Sequence, residues 1–119
     1  MPAPTLDATL DAMLALVLVE DRALGLEFAE GAFLIRLPTT RRIAERLGVP
    51  HYYVLPLIGA LEADGLLTRA ERVGIRTTPG GTRRLFDLID ESYRSETEAL
   101  LGPDLYLLLL ARARREPNL

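Results

Sequence analysis

Arginine is the residue type whose placement in this chain points most clearly to chemistry, namely the binding of phosphate groups. Residues 36–84 contain nine arginines and four acidic residues, residues 1–35 one arginine and six acids, and residues 85–119 four arginines and seven acids. The net charge of -3 therefore divides into +5 at the centre and -5 and -3 at the two flanks. A basic centre is expected of a surface that displaces counterions from nucleic-acid phosphates, and an ordinary solvated face is the alternative.

Other kinds of chemistry have little support in the sequence. There is no cysteine, which excludes disulfides and thiolate metal sites. His51 is the only histidine and has no readable partner for nucleophilic catalysis, and the carboxylates near residues 20 and 90 have the spacing of ordinary solvated residues on helices. Gly80-Gly81 is too small a glycine signal for a phosphate loop. We therefore expect no enzyme, no metal and no cofactor.

The basic centre coincides with a predicted pair of helices joined by a tight turn. Thr39 follows a proline and can cap a first helix over 40–47, and Gly48 can take the left-handed conformation that the turn needs. Pro50 can occupy the first turn of a second helix that ends near Gly65. The apolar positions that would hold the two helices together are Ile43, Leu47, Val49, Val54, Leu57 and Leu61.

A β-hairpin is predicted immediately after this helix pair. Strands over 66–69 and 74–78 can pair across a turn that contains Arg72 and Gly74. Two helices joined by a tight turn and followed by a hairpin form a helix-turn-helix with a wing, a scaffold that places a helix end against the DNA major groove. The predicted class is therefore mainly α with a small β-hairpin wing (α+β), a winged helix-turn-helix with a C-terminal helical dimerisation extension.

Residues on the N-terminal side of the helix pair predict one helix and two extended segments. Apolar side chains at helical spacing indicate a helix over 5–23 that would cover the helix pair. Residues 26–28 and 33–35 are predicted either as short strands or as an extended connection. In the first case, residues 33–35 can add a third strand to the sheet.

Two helices are predicted at the C-terminal end. The first has Thr82 as its cap and ends at Gly102, and the second covers about 104–115. The second helix is apolar on every side between residues 105 and 110. One face cannot bury all of these side chains, so the same helix of another subunit is the economical partner, unless the helix fills the protein's own core.

This pattern predicts a DNA-binding domain over 1–80 and a dimerisation segment over 81–119. The dimer contacts are expected from the last helix. They are Leu105, Tyr106, Leu108 and Leu109.

The centre of the chain also resembles a known family. Residues 37–49, LPTTRRIAERLGV, are followed by Val54, by LEADGL at 61–66 and by Gly74. In this pattern residues 37–78 resemble the N-terminal domain of GntR-type transcription regulators. Because only two helices are predicted to follow, the chain is most similar to the short YtrA-like branch, which has no large ligand-binding domain.

The resemblance implies a homodimeric transcription regulator that occupies a promoter as a repressor, with defined contacts to double-stranded DNA. Arg41, after the helix cap, would contact DNA, and Gly74 at the wing tip would approach the minor groove. His51 and the two tyrosines after it would open the recognition helix, unless one tyrosine is a core residue. With the phosphate contacts, the predicted set is Arg36, Thr39, Thr40, Arg41, Arg42, His51, Tyr52, Tyr53, Arg69, Arg72, Gly74 and Arg76.

The predicted recognition helix departs from the family pattern, because its exposed side is apolar where polar or basic residues are usual. Tyr52, Tyr53, Leu55 and Pro56 could instead dock a partner protein, and this is the alternative function. No residue pattern identifies a small-molecule effector. Residues 1–8 carry no basic stretch and the apolar residues 13–19 are too few to cross a bilayer, so we expect a cytoplasmic protein with no membrane contact.

Overall fold

Helices dominate the computed structural model, which describes residues 4–29, 31–71 and 74–115. With a small antiparallel sheet beside them, they confirm the predicted mainly helical α+β class. The helices are α1 (Leu6–Leu14), α2 (Thr40–Leu47), α3 (His51–Ala63), α4 (Pro79–Leu88), α5 (Arg94–Leu101) and α6 (Pro103–Arg115); π-helical segments at Ala15–Glu20 and Ile89–Tyr93 extend α1 and join α4 to α5. The strands are β1 (Leu26–Ala29), β2 (Ala32–Leu37), β3 (Leu67–Ala70) and β4 (Gly74–Thr77).

The four strands form one sheet in the order β1-β2-β4-β3, with every neighbouring pair antiparallel. The third strand predicted over 33–35 is confirmed as β2, which pairs with β4 through Arg36 and Arg76. Residues 26–28, predicted either as a short strand or as an extended connection, belong to β1, which forms a hairpin with β2. Gly31 makes this tight connection feasible because its φ of 81° is a conformation that glycine adopts at little cost.

The first helix of the predicted pair is confirmed in its bounds and in its caps. The Thr39 hydroxyl accepts a hydrogen bond from the Arg42 amide (3.3 Å), and Gly48 ends α2 with a φ of 68°. The predicted start of the second helix is wrong by one residue: Pro50 precedes α3 as its capping residue and is not in its first turn, because its ψ of 147° is extended. The helix continues through Pro56, although a proline has no amide proton to donate within the helix.

The start of α4 differs from the prediction. Thr78, and not Thr82, is the cap, and its hydroxyl accepts a hydrogen bond from the Gly81 amide (3.0 Å). Pro79 suits the first helical position because its φ is already helical and its missing proton has no partner there. Thr82 is buried instead, where its hydroxyl donates to the Phe33 carbonyl (3.0 Å) and contacts the Thr77 hydroxyl.

One hydrophobic core includes residues from both predicted segments, 1–80 and 81–119. At its centre the Phe86 ring meets the Phe33 ring edge to face, with centroids 5.5 Å apart, and lies 6.5 Å from the Tyr106 ring. Its largest fully buried side chains are Tyr106, Phe33, Phe86, Met13, Leu14, Leu18, Ile35, Ile43, Ile58, Leu61, Leu67 and Leu85. Among the described residues, no helix has both the length and the apolar character needed to cross a membrane.

Candidate nucleic-acid interface

A concave surface lies between the start of α2, the exposed side of α3 and the β3–β4 hairpin. We call it the hairpin groove, and its volume is about 550 Å³. Thr39, Thr40, Arg69 and Gly74 all line it, so the structure brings together predicted contact residues from three separate elements. The other lining residues, which the sequence did not single out as contacts, are Leu37, Leu55, Ala70, Glu71 and Ile75.

The starts of α2 and α3 are joined by a short hydrogen bond between two predicted contact residues. The His51 Nε2 atom lies 2.6 Å from the Thr40 hydroxyl oxygen. Beside it, Tyr52 is 65% exposed and Tyr53 is partly exposed, with the two rings edge to face and their centroids 4.8 Å apart. Neither tyrosine is a core residue, so both are accessible at the start of α3.

Arg41 and Arg42 are neighbours in the sequence but have different surroundings. Arg41 is exposed and has no ion-pair partner in the described part of the chain. Arg42 binds both carboxylate oxygens of Asp21, at 2.7 Å each. This hydrogen bonding lowers the pKa of the Asp21 carboxyl and raises the pKa of the Arg42 guanidinium. A cation free to bind phosphate is therefore found at Arg41 and not at Arg42.

The acidic flanks of the sequence fold onto its basic centre. Besides the pair of Asp21 with Arg42, Glu20 lies 2.8 Å from Arg46 and Asp7 lies 3.0 Å from Arg84. The charge separation seen along the sequence is therefore largely cancelled in space, because opposite charges on packed elements attract one another. The acidic flanks themselves were the only signal in the sequence that could have indicated this pairing.

Glu27 neutralises two predicted contact residues on the sheet. Its carboxylate lies 3.1 Å from Arg36 and 2.8 Å from Arg76, and these hydrogen bonds, with Arg36 contributing most, lower its pKa. Arg76 follows Ile75, which lines the hairpin groove, and successive side chains of a strand point to opposite faces. Arg36 and Arg76 are therefore on the sheet face away from the groove, and the structure does not bring them together with Thr39 and Arg69.

Arg69 lines the groove but is paired within the chain. Its guanidinium lies 3.0 Å from a carboxylate oxygen of Glu62 on α3, and both side chains are about 40% exposed. An ion pair this exposed contributes at most about 1 kcal/mol, so a phosphate group can compete for the arginine. Glu62 is a site residue that sequence reasoning missed, because only the folded chain brings α3 against β3. Arg72, a further predicted contact, lies outside the described residues.

The residues predicted for dimerisation are divided between the core and the surface. Tyr106 and Leu109 are buried against the protein's own core and are not accessible to a second subunit. Leu105 and Leu108 are exposed, and Leu107, which was not predicted, is exposed beside them. One side of α6 therefore fills the protein's own core, as the alternative prediction states, and the other side is exposed.

Neither the acidic side chains nor the comparison with known proteins adds a further assignment. No three histidine or acidic side chains in the described ranges come together in a way that could hold a metal ion. The chain matches no family model, no curated protein and no solved structure. The residues of the hairpin groove are therefore what points to a function.

Proposed function

We propose that the protein is a transcription regulator that binds double-stranded DNA through a winged helix-turn-helix made of α2, α3 and the β3–β4 hairpin. One observation carries the proposal: the start of α2, Leu55 of α3 and the β3–β4 hairpin border a single open groove. In a winged helix-turn-helix, the second helix enters the major groove while the hairpin contacts the DNA beside it. The GntR-type resemblance of residues 37–78 agrees with this arrangement.

The start of α3 has the groups needed for contact with DNA. Its capping residue, Pro50, has no side chain that can satisfy the first amide groups of the helix, and the structure shows no side-chain cap there. Free amide groups at a helix start favour a phosphate. Tyr52 lies beside them and is exposed enough to contact a thymine methyl group or to donate a hydrogen bond to a base edge.

Arg41 is the residue for which the proposal makes the clearest prediction. Replacing Arg41 with glutamine removes the unpaired cation at the start of α2, so duplex DNA should bind about three- to tenfold more weakly. Fluorescence anisotropy with a labelled fragment from upstream of the protein's own gene measures this change. The control is Arg83→Gln, because Arg83 is also exposed and unpaired among the described residues but lies on α4, outside the proposed winged helix-turn-helix. Equal losses in the two variants would contradict a specific role for the start of α2.

Glu62 is predicted to compete with DNA for Arg69. Replacing Glu62 with glutamine frees the Arg69 guanidinium, so DNA affinity should rise about two- to threefold in the same assay. The control is Glu27→Gln, which frees Arg36 and Arg76 on the other sheet face and should change affinity less. A larger gain from the Glu27 variant would indicate that DNA binds the sheet face that carries Arg36 and Arg76, which contradicts binding in the hairpin groove.

The proposed regulator acts as a homodimer joined through the first turn of α6, where Leu105 is exposed. A leucine exposed on a helix is costly in water, and a twofold contact with the same turn of another subunit would cover it. A dimer of this kind can place two recognition helices in successive major grooves, about 34 Å apart.

The exposed apolar side of α3 favours a second candidate function, the docking of a partner protein. Tyr52, Leu55 and Pro56 are all exposed on this helix. Replacing Leu55 with arginine separates the two functions, because the new charge should abolish protein docking and leave DNA affinity unchanged or higher. A large loss of DNA affinity in this variant would mean that Leu55 itself contacts the DNA closely.

A further inference from the structure

A second cleft lies between the β1–β2 hairpin and α6, and none of its described lining residues is a predicted DNA contact. Its volume is about 400 Å³, within the range of small-molecule sites in proteins. The residues that matter for its chemistry are Phe28, Phe33, Leu108, Leu109, Arg112 and Arg115. We call it the α6 cleft.

The walls of the α6 cleft are apolar and only partly covered. Phe28 is 71% exposed although its ring lies 6.1 Å from the buried Phe33 ring, and Leu108 is 63% exposed on the facing helix. Leu109 is buried and provides the floor. A ligand with an apolar body would cover Phe28 and Leu108 together, which gains about 25 cal/mol for each Å² removed from water.

Two guanidinium groups border the same cleft. Arg112 donates a hydrogen bond to the Gly31 carbonyl, which holds its guanidinium between the hairpin and the helix. Arg115 lies three residues further along α6, on the same side of the helix, and is exposed. None of the described residues that line the cleft is acidic. The exposed Arg115 guanidinium is therefore the group that can bind an anion.

We propose that the α6 cleft binds a small organic acid with an apolar body and one carboxylate group. The apolar body lies between Phe28 and Leu108, and the carboxylate accepts hydrogen bonds from the guanidinium end of the cleft, where Arg115 is accessible. A straight-chain or aromatic carboxylate has both parts and fits the volume. This inference goes beyond DNA binding and does not depend on it.

Octanoate tests this assignment, with 1-octanol as a neutral ligand of the same chain length. Two-dimensional ¹H–¹⁵N NMR titration of the full chain, without DNA, should show saturable shifts for residues 31–33 and 108–115, with a dissociation constant of about 1–10 mM. Octanoate should bind at least about threefold more tightly than octanol, and Arg115→Gln should remove that preference. Equal binding of the two ligands by the unaltered protein, or shifts spread over the whole chain, would overturn the assignment.

A pair of leucine variants locates the ligand on α6. Leu108→Glu places a negative charge inside the cleft and should abolish octanoate binding, whereas Leu107→Glu alters an exposed leucine outside the cleft and should leave it unchanged. Equal loss in both variants would overturn the proposal. A cleft that is already covered by a second copy of the chain would also overturn it. The signals of residues 108–115 would then shift with protein concentration in the absence of ligand and would not respond to octanoate. A failure of any of these tests leaves the DNA titrations unaffected, so the two proposals can be judged separately.

Discussion

Replacing Gly81 with alanine is expected to destabilise the protein by more than about 3 kcal/mol, or to prevent folding altogether. Gly81 is buried in the first turn of α4, and a Cβ atom there would lie 1.7 Å from the carbonyl oxygen of Leu66 and 2.7 Å from its carbonyl carbon. These are backbone atoms just before β3, and the same carbonyl accepts a hydrogen bond from the Thr78 amide (3.1 Å). The clash therefore cannot be relieved by moving a side chain.

Urea unfolding followed by circular dichroism measures this loss, and the adjacent glycine provides the control. A Cβ atom on Gly80 would have its nearest neighbours at 3.8 Å, which is ordinary contact. Since alanine is a better helix former than glycine, Gly80→Ala should be unchanged or stabilised by up to about 1 kcal/mol. Similar stabilities for the two variants would contradict the close contact between α4 and the chain that enters β3, which sets the position of the hairpin.

Replacing Tyr106 with phenylalanine is expected to cost about 1.5–3 kcal/mol at neutral pH, because it removes a hydrogen bond to a charged group in a buried position. The Tyr106 ring is fully buried, and its hydroxyl donates to an Asp90 carboxylate oxygen at 2.8 Å. The Arg94 guanidinium lies 5.3 Å from the centre of the same ring. This cluster joins α6 to the segment after α4, so its loss loosens the C-terminal helices.

The same tyrosine predicts how stability depends on pH. Burial, and then the hydrogen bond to Asp90, raise the pKa of Tyr106 to about 12 from its ordinary value of 10.0. A group whose pKa is higher in the folded state stabilises that state fully below its unfolded pKa, so this stability should be lost as the pH rises from about 10 to 12. Tyr106→Phe should lose less stability over that interval. The exposed Tyr52→Phe is the control, and it should match the unaltered protein in urea unfolding at neutral pH.

Much of the proposed DNA-binding scaffold could be predicted because local interactions determine it. Thr39 caps α2 with its own hydroxyl and Gly48 ends that helix in a left-handed conformation, so residues 39–48 contain both signals. The hairpin and β2 follow from alternating apolar residues that meet across the sheet. The sequence predicts Thr82 as the cap of α4, whereas the cap is Thr78, because the proline that follows Thr78 favours the first helical position.

The charge pattern could not be predicted, because it depends on which elements pack together. The positive centre and negative flanks are properties of the sequence, but Asp21 and Glu27 come from elements that fold against α2 and the sheet. Likewise, the sequence of a helix that is apolar on every side does not show which of its residues are buried in the protein core. Tyr106 and Leu109 are inside, whereas Leu105 and Leu108 are outside, and only the packing of α6 on α4 and α5 decides this.

The salt dependence of binding to duplex DNA tests the central claim most directly. Anisotropy titrations of the unaltered protein against a fragment from upstream of its own gene should be repeated at several salt concentrations. The logarithm of the affinity falls with the logarithm of salt concentration by about 0.9 for each phosphate contact. With one Arg41 contact from each subunit of a dimer, affinity should fall at least about tenfold between about 50 and 200 mM salt. No binding at the lowest salt, or an affinity that does not change with salt, would contradict DNA recognition by this protein.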